Sequence, residues 1–434
     1  IKLLEKISKP RKFWRIYGEV SLWVCRLSML FIGLLVFLSI ILFVINGPAE
    51  DPPPITTMIA VPGINPVIPL GWGIIAFIIS LVIHEFGHGL LARAHGMRLR
   101  SFGLLVLGPL PLGAFAEPEH EEMSRAPRRE RMRLFAAGPS INLIATFIVL
   151  VLLSATANGF VAKTPGVHAT GIIGDTGAED AGLMAYETIT HIEDSRVTDS
   201  DEFTELMKKY SSEEVANFTV ISSQENDAET RVIEITFTDR WQYHMDQCQQ
   251  TSGCDMEETR VLMETLGIEP GDAFVGVSNL RSNTAAAEGW AFLANDKLSL
   301  PTKGMLLLVA PLIMLGVPIQ NDGHTMPLEE RAMLTAGDGI IASNLGTEGM
   351  LAAFDFLFWL AWINFLLGFA NLIPMVPFDG GHIFRDAAHS TMRFIMRGGD
   401  PLKIENAANR LSSMSSLIVL FIVIIPIIIP RLFS

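Results

Sequence analysis

Leu70-Gly-Trp-Gly-Ile-Ile-Ala-Phe-Ile-Ile-Ser-Leu-Val-Ile-His84-Glu85-Phe86-Gly87-His88-Gly-Leu-Leu-Ala92 is an apolar stretch of membrane-crossing length with two histidines and a glutamate inside it. On a helix His84 and His88 fall at i and i+4, so both imidazoles leave one face about a turn apart. This is the spacing with which H-E-x-x-H holds a zinc ion and leaves the glutamate free to act as a base. Two histidines and a carboxylate are costly in hydrocarbon unless they face the protein interior and bind something. The bland alternative is a pair of hydrogen-bonded histidines on a buried helix.

Composition agrees with a membrane setting. The 434 residues are 50% hydrophobic and only 18% charged, against about 25% in a soluble domain. The net charge of −14 argues against a nucleic-acid partner, which favours a basic surface. The charge is unevenly placed: residues 158–349 hold 31 Asp and Glu against 11 Lys and Arg. One acidic polar domain is thus set among basic-flanked apolar segments. The chain opens on isoleucine, which suggests truncation or processing, and residues 27–45 lack the small-residue exit of a cleaved signal peptide, so they read as a retained span.

Apolar runs able to cross a core of about 30 Å occupy residues 27–45, 70–83 continuing through the motif, 134–156 and 356–373, with a shorter fifth at 414–430. Residues 305–319 are short and contain Pro311 and Pro318; they read as a re-entrant or interfacial piece. Lys2, Lys6, Lys9, Arg11, Lys12 and Arg15 precede the first run, while the following loop 46–69 has no Lys or Arg. Arginines crowd between the second and third runs, from Arg93 to Arg133, and between the last two, from Arg385 to Arg410. The positive-inside rule makes these segments and the N-terminus cytoplasmic and the acidic domain extracytoplasmic.

A catalytic zinc takes three protein ligands and an open position for water. The H-E-x-x-H-x-x-G-x-x-H pattern fails here, since positions 91 and 94 are Leu91 and Ala94 and His95 comes one residue late. Glu117 and Glu119 are conceivable third ligands in a Pro/Gly-rich loop. The better candidate is Asp379, within Asn371-Leu-Ile-Pro-Met-Val-Pro-Phe-Asp379-Gly380-Gly381-His382 at the end of the fourth run. Pro374 and Pro377 break the helix, and two glycines let the backbone turn sharply after the carboxylate. In this topology the histidines and Asp379 lie toward the cytoplasmic ends of their spans and meet at one depth.

These two motifs together resemble the site-2 protease family of intramembrane zinc metalloproteases, over roughly residues 70–156 and 356–386. The resemblance implies one zinc ion per chain held by His84, His88 and Asp379, with Glu85 as catalytic base. Ala137-Gly-Pro-Ser-Ile-Asn142 is similar to the family's A-G-P-x-x-N element, and Gly113-Ala114-Phe115-Ala116, after Gly108-Pro109, to its membrane-dipping β-loop that offers an edge strand to substrate. Asn142, Asn371, Gly113, Ala114 and Phe115 are then expected to meet substrate, with helix-packing hydrogen bonds the competing role for the two asparagines. His382 reads as a supporting residue and His95 as a loop histidine.

From Val161 the pattern changes to short alternating stretches. Gly171-Ile-Ile-Gly-Asp-Thr-Gly-Ala-Glu-Asp-Ala-Gly-Leu183 and Ile189-Thr-His-Ile-Glu-Asp-Ser-Arg-Val197 resemble a protease-associated PDZ domain, with Glu187-Thr188 where Gly-Asp is usual. A helix at 200–210, strands at 215–222 and 231–238 and a returning strand at 273–277 fit that plan. Such a domain binds extended peptides by strand addition or acts as a size filter or spacer. Cys25 packs at the membrane edge; Cys248 and Cys254 sit six apart in a polar insertion where a disulfide is permitted, with zinc binding the weaker alternative.

The fold expected is therefore a polytopic α-helical membrane protein of about five spans, a re-entrant segment and a β-loop, with an inserted extracytoplasmic α+β PDZ-like domain. Its parts are residues 1–69 (basic segment, first span, outer loop), 70–157 (motif span, β-loop, third span), 158–304 (PDZ-like domain), 305–349 (re-entrant or interfacial) and 350–434 (second motif and last span). The expected substrates are transmembrane helices of other proteins in the cell membrane, cleaved as in regulated intramembrane proteolysis, with the oligomeric state open. The rival from another class is a non-catalytic scaffold with a structural zinc, against which an intact Glu85 argues.

Overall fold

A computed structural model of the chain describes residues 2–47, 54–58, 61–107, 110–222, 229–397 and 399–433. It divides into two compact units. One comprises Ile1–Leu153, Leu300–Thr325 and Phe354–Ser434, the other Ser154–Ser299 and Met326–Ala353.

The first unit is helical. Among the described residues five helices are long and apolar enough to cross a membrane: Arg11–Ile45, Leu70–Ala94, Arg128–Ala157, Leu300–Gln320 and Ile340–Ala370. The first begins sixteen residues before the expected run, because its basic lower part is also helical; there Glu19 pairs with Arg129 and Arg133. The run at 414–430 lies on the terminal helix Pro401–Phe433. Residues 305–319, expected to form a re-entrant or interfacial piece, are helical throughout. Leu300–Gln320 is one continuous helix with Pro311 and Pro318 inside it. Each proline removes one donor, but in an apolar medium a helix is the local way to satisfy the remaining backbone groups.

The motif helix Leu70–Ala94 ends at Gly96, whose φ of 89° closes a Schellman turn: Met97 N–H donates to Ala92 O at 2.9 Å and Gly96 N–H to Arg93 O at 3.0 Å. The chain then makes an antiparallel hairpin, Leu99–Leu107 with Leu110–Pro118, in which Phe102 opposes Ala116 and Leu105 opposes Gly113. Gly108 and Pro109, quoted above for this loop, lie outside the described residues. Leu90, Leu91, Met97, Leu99, Leu134 and Ala137 bury one core between hairpin, motif helix and the helix Arg128–Ala157.

The second unit is built on an antiparallel sheet in the order Val277–Ser282, Val167–Ile172, Thr188–Ile192, Val215–Ile221, Thr230–Thr236, with Ser195–Arg196 paired beside Thr188–Ile192. Ala216, Phe218 and Val220 alternate into its core against Ile189, Ile192 and Phe237, the period-two pattern of a half-buried strand. The expected helix at 200–210 is Ser200–Met207, capped by Asp199 accepting from Glu202 N–H at 2.9 Å. The returning strand at 273–277 is instead two strands, Ala273–Phe274 and Val277–Ser282. Gly276 separates them at φ 90°, where a Cβ would collide with Thr176. The polar insertion forms two helices, Arg240–Gln250 and Met256–Thr265, stapled by a Cys248–Cys254 disulfide.

Glu330 is fully buried in this unit. Arg281 donates to it at 2.6 Å and His168 Nε2 faces it at 3.5 Å, while His168 Nδ1 meets Asn283 at 2.9 Å. Arg281→Met removes the guanidinium from a buried carboxylate and is expected to destabilise the unit by about 3–5 kcal/mol. Calorimetry checks this, and the double change Arg281→Met/Glu330→Met should recover most of the loss. An unchanged transition in the single variant would mean that the pair contributes nothing.

Candidate metal centre

Three side chains from two distant parts of the sequence converge in the first unit. His84 and His88 leave the same face of Leu70–Ala94, and their Nε2 atoms stand 3.1 Å apart. Asp379, the first residue of the helix Asp379–Ile395, brings Oδ2 to 3.2 Å from His84 Nε2 and 3.3 Å from His88 Nε2. Both rings are buried, 5% and 8% exposed, so water does not screen this cluster. Glu85 lies beside it, its carboxylate within 4.8 Å of both histidine nitrogens.

The tautomer of His88 is fixed by its surroundings. Nδ1 lies 2.8 Å from Leu134 O, a pure acceptor, so Nδ1 carries the proton and Nε2 presents a lone pair. Two imidazole nitrogens and a carboxylate oxygen then face one another at about 3.2 Å. A tetrahedral ion with bonds of about 2.0–2.1 Å spaces its ligand atoms by about 3.3 Å, so these residues fit zinc. The backbone of the neighbouring helix can approach these nitrogens so closely because residue 138 has no side chain. A Cβ at Gly138 would lie 2.7 Å from His84 Nε2 and closer still to His88 Nε2. Gly87 serves the same helix crossing from the other side, since its Cβ would lie 2.6 Å from Ala137 O.

Asp379 is delivered by a folded turn rather than a glycine bend. After the helix ending at Ala370, Gly380 N–H donates to Asn371 O at 2.7 Å and Gly381 N–H to Phe378 O at 3.0 Å. Neither glycine is among the positive-φ residues. Their importance is proximity: a Cβ on Gly380 would lie 2.5 Å from Leu372 carbonyl carbon, and one on Gly381 2.5 Å from Val376 N. The expectation of a sharp turn after the carboxylate is therefore corrected to a helix start packed against the preceding segment. Asn371 donates its Nδ2 to Leu367 O at 2.9 Å and so closes the preceding helix.

The other expected site residues are placed as follows. Asn142 is buried, donates to Ser80 O at 3.4 Å, and leaves Oδ1 without a partner among the described residues. Gly113, Ala114 and Phe115 lie on the hairpin strand Leu110–Pro118, and the next amide, Ala116 N–H, donates to Glu85 Oε2 at 2.7 Å. Glu117 is exposed on Ser101 at 2.7 Å and Glu119 starts the short helix after the hairpin, so neither joins the histidines. His382 stacks on Phe135 with ring centres 4.5 Å apart. His95, expected in a loop, caps the motif helix with its side chain fully buried, 3.6 Å from Glu130. Sequence reasoning assigned no role to Gly138, Leu134 or Ala116; small residues at Gly87 and Gly138 in two apolar helices were the available signal for a close crossing.

Peptidase family M50 matches the chain over residues 72–419. Zinc metalloprotease Rip1 of Mycolicibacterium smegmatis is 24% identical over 405 residues, covering 81% of this chain and 92% of that protein. Rip1 of Mycobacterium tuberculosis is 25% identical over 362 residues, 71% and 82% of the two chains. An uncharacterised protein of Methanocaldococcus jannaschii is 35% identical over 155 residues, 36% of this chain and 40% of that one. The family match takes in the helix that carries both histidines and the turn that delivers Asp379, and the chain accordingly belongs to peptidase family M50, the site-2 proteases, as a membrane-embedded metalloendopeptidase.

Proposed function

We propose that the chain holds one zinc ion through His84, His88 and Asp379 and hydrolyses peptide bonds within or next to transmembrane helices of other membrane proteins, as a step of regulated intramembrane proteolysis. The observation that carries this is the mutual approach of three ligand atoms at 3.1–3.3 Å, beside a glycine where any side chain would collide with them. When bound, zinc supplies a water of lowered pKa and polarises the scissile carbonyl. Leu134 O holds the His88 ring with Nε2 forward. Glu85 takes a proton from the attacking water at its carboxylate and returns it to the leaving amine.

Ala116 N–H now occupies Glu85 Oε2. That amide points away from the hairpin partner, along the edge that Gly113, Ala114 and Phe115 share, and an unwound substrate strand added there takes over the amide and frees the base. Asn142 Oδ1, buried and unmatched among the described residues, is proposed as the acceptor for a substrate amide. The test is cleavage of a single-span substrate by purified protein in detergent. Cleavage that persists undiminished in Glu85→Gln would refute the assignment.

We further propose that the N-terminus is cytoplasmic, in the cell membrane, with the second unit extracytoplasmic and PDZ-like. Ser299 and Met326, which flank the apolar helix Leu300–Gln320 in sequence, belong to one compact unit, which supports the reading that this helix does not cross. Cysteines introduced for Asp296 and Asp338 should both react with an impermeant label from outside, and one introduced for Arg125 should not. Opposite compartments for the first two would mean that the helix crosses.

The second unit is proposed to act as a size filter on substrates. Deletion of residues 161–281 would strand buried Glu330 without Arg281 and break the pairing of Phe160–Ala162 with Leu334–Ala336. The sound deletion therefore joins residue 158 to residue 300, and residue 325 to residue 340, by flexible linkers, so that Glu330 and Leu334–Ala336 leave together with their partners. Cleavage of a helix bearing a folded ectodomain should rise relative to one with a short tail; equal changes in both would remove the filter.

A further inference from the structure

Apart from the metal centre, the helical unit holds a polar cavity of about 410 Å3. Arg128 and Arg131 reach it from the start of Arg128–Ala157, Arg385, Asp386 and His389 from Asp379–Ile395, and Glu405 from the terminal helix. Asp386 is buried, its side chain 1% exposed, and is held by Arg131 through Nε at 3.0 Å and a second nitrogen at 2.6 Å. Arg128 stands 3.4 Å from Asp386 and 3.2 Å from Glu405. Arg385 is half-buried and, among the described residues, has no hydrogen bond or ion pair.

Three guanidiniums thus face two carboxylates, and one positive charge is left without a partner. Burial, with the Arg128 charge, holds the His389 imidazole below its usual pKa against the opposing pull of Glu405, 3.6 Å away, and of Asp386. Glu405 is half-exposed between Arg128 and His389 Nε2, at 3.2 and 3.6 Å, a tethered carboxylate that an incoming anion can displace. Asn409 adds an amide donor to the wall. Planar guanidiniums arranged around one volume suit the tetrahedral oxygens of phosphate, which accept paired N–H donors.

We propose that this cavity binds the phosphate group of an anionic lipid headgroup. The lipid source follows from position. The cavity opens between helices of the apolar unit, and Arg393, Arg397, Lys403 and Arg410 crowd the same segment, the arrangement by which juxtamembrane basic pockets take anionic headgroups. The ligand would tie the start of the helix carrying Leu134 and Gly138 to the helix that begins at Asp379. It would therefore brace two of the elements that shape the metal centre. The binding claim does not depend on catalysis, and its test reads binding alone.

The full chain is placed in nanodiscs of phosphatidylcholine with increasing phosphatidylglycerol, and separately in detergent with inorganic phosphate, and its melting temperature is followed. Phosphatidylglycerol should raise the melting temperature of the unaltered protein saturably. Arg385→Gln, which breaks no pair in the structure, should weaken the apparent affinity roughly tenfold, the loss of one charge-assisted hydrogen-bond partner. Glu405→Gln should strengthen it, and Lys209→Gln, exposed in the second unit, should leave it unchanged. Inorganic phosphate alone should give little stabilisation; a full Arg385-dependent response to it would overturn the lipid assignment in favour of a soluble phosphate. Equal responses from the unaltered protein and Arg385→Gln in both arms, or no response in either, would overturn the site.

Discussion

Asp379→Ala should purify with little or no zinc and no proteolytic activity, whereas Glu85→Gln should retain its zinc and lose activity by roughly a hundred- to ten-thousand-fold, the usual contribution of a general base. The contrast follows from geometry. Asp379 Oδ2 sits 3.2–3.3 Å from both imidazole nitrogens, and without it two histidines remain, too few for a catalytic zinc. Glu85 leaves the same helix but spends its carboxylate on Ala116 N–H at 2.7 Å. Glutamine preserves that contact and the size of the side chain while removing the base. Metal content by atomic spectroscopy and cleavage of a single-span substrate separate the two. Full zinc retention in Asp379→Ala would assign the third ligand elsewhere.

The parts of this site that were legible in the sequence are those with local rules. His84 and His88 meet because four residues make about one helical turn, and Asp379 could be placed at their depth because charge bias orients the spans. The strands of the second unit were legible where burial alternates, as at Ala216, Phe218 and Val220. What stayed hidden depends on neighbours far along the chain. Gly380 and Gly381 read as a turn, yet they are glycines because residues 372–376 pack on a helix start. Pro311 and Pro318 read as breakers, yet an apolar run keeps its helix through them. Ala116 reaches Glu85 across 31 residues and Arg131 reaches Asp386 across 255. Neither contact leaves a periodicity to detect.

Gly138→Ala should weaken zinc binding while making its helix intrinsically more stable. An added Cβ would stand 2.7 Å from His84 Nε2, and nearer to His88 Nε2, in the volume that the ligand atoms border. Those neighbours are ring atoms on a buried helix, and His88 is tied to Leu134 O, so they cannot swing aside as a flexible chain end would. The crossing of the two helices is already tight at Gly87. A displacement of a few tenths of an ångström misplaces both nitrogens, and zinc affinity should fall at least tenfold, the scale on which misoriented ligands weaken a site. Helix propensity acts in the opposite direction, favouring alanine by about 0.8–1.0 kcal/mol. Gly33→Ala, in another apolar helix with nothing within 4 Å of its Cβ, carries the same propensity gain and should leave zinc and activity unchanged. Measured zinc occupancy in a titration against a competing chelator decides the matter. If Gly138→Ala binds zinc as tightly as the unaltered protein, the metal does not sit between His84, His88 and this helix, and the centre built from them is wrong.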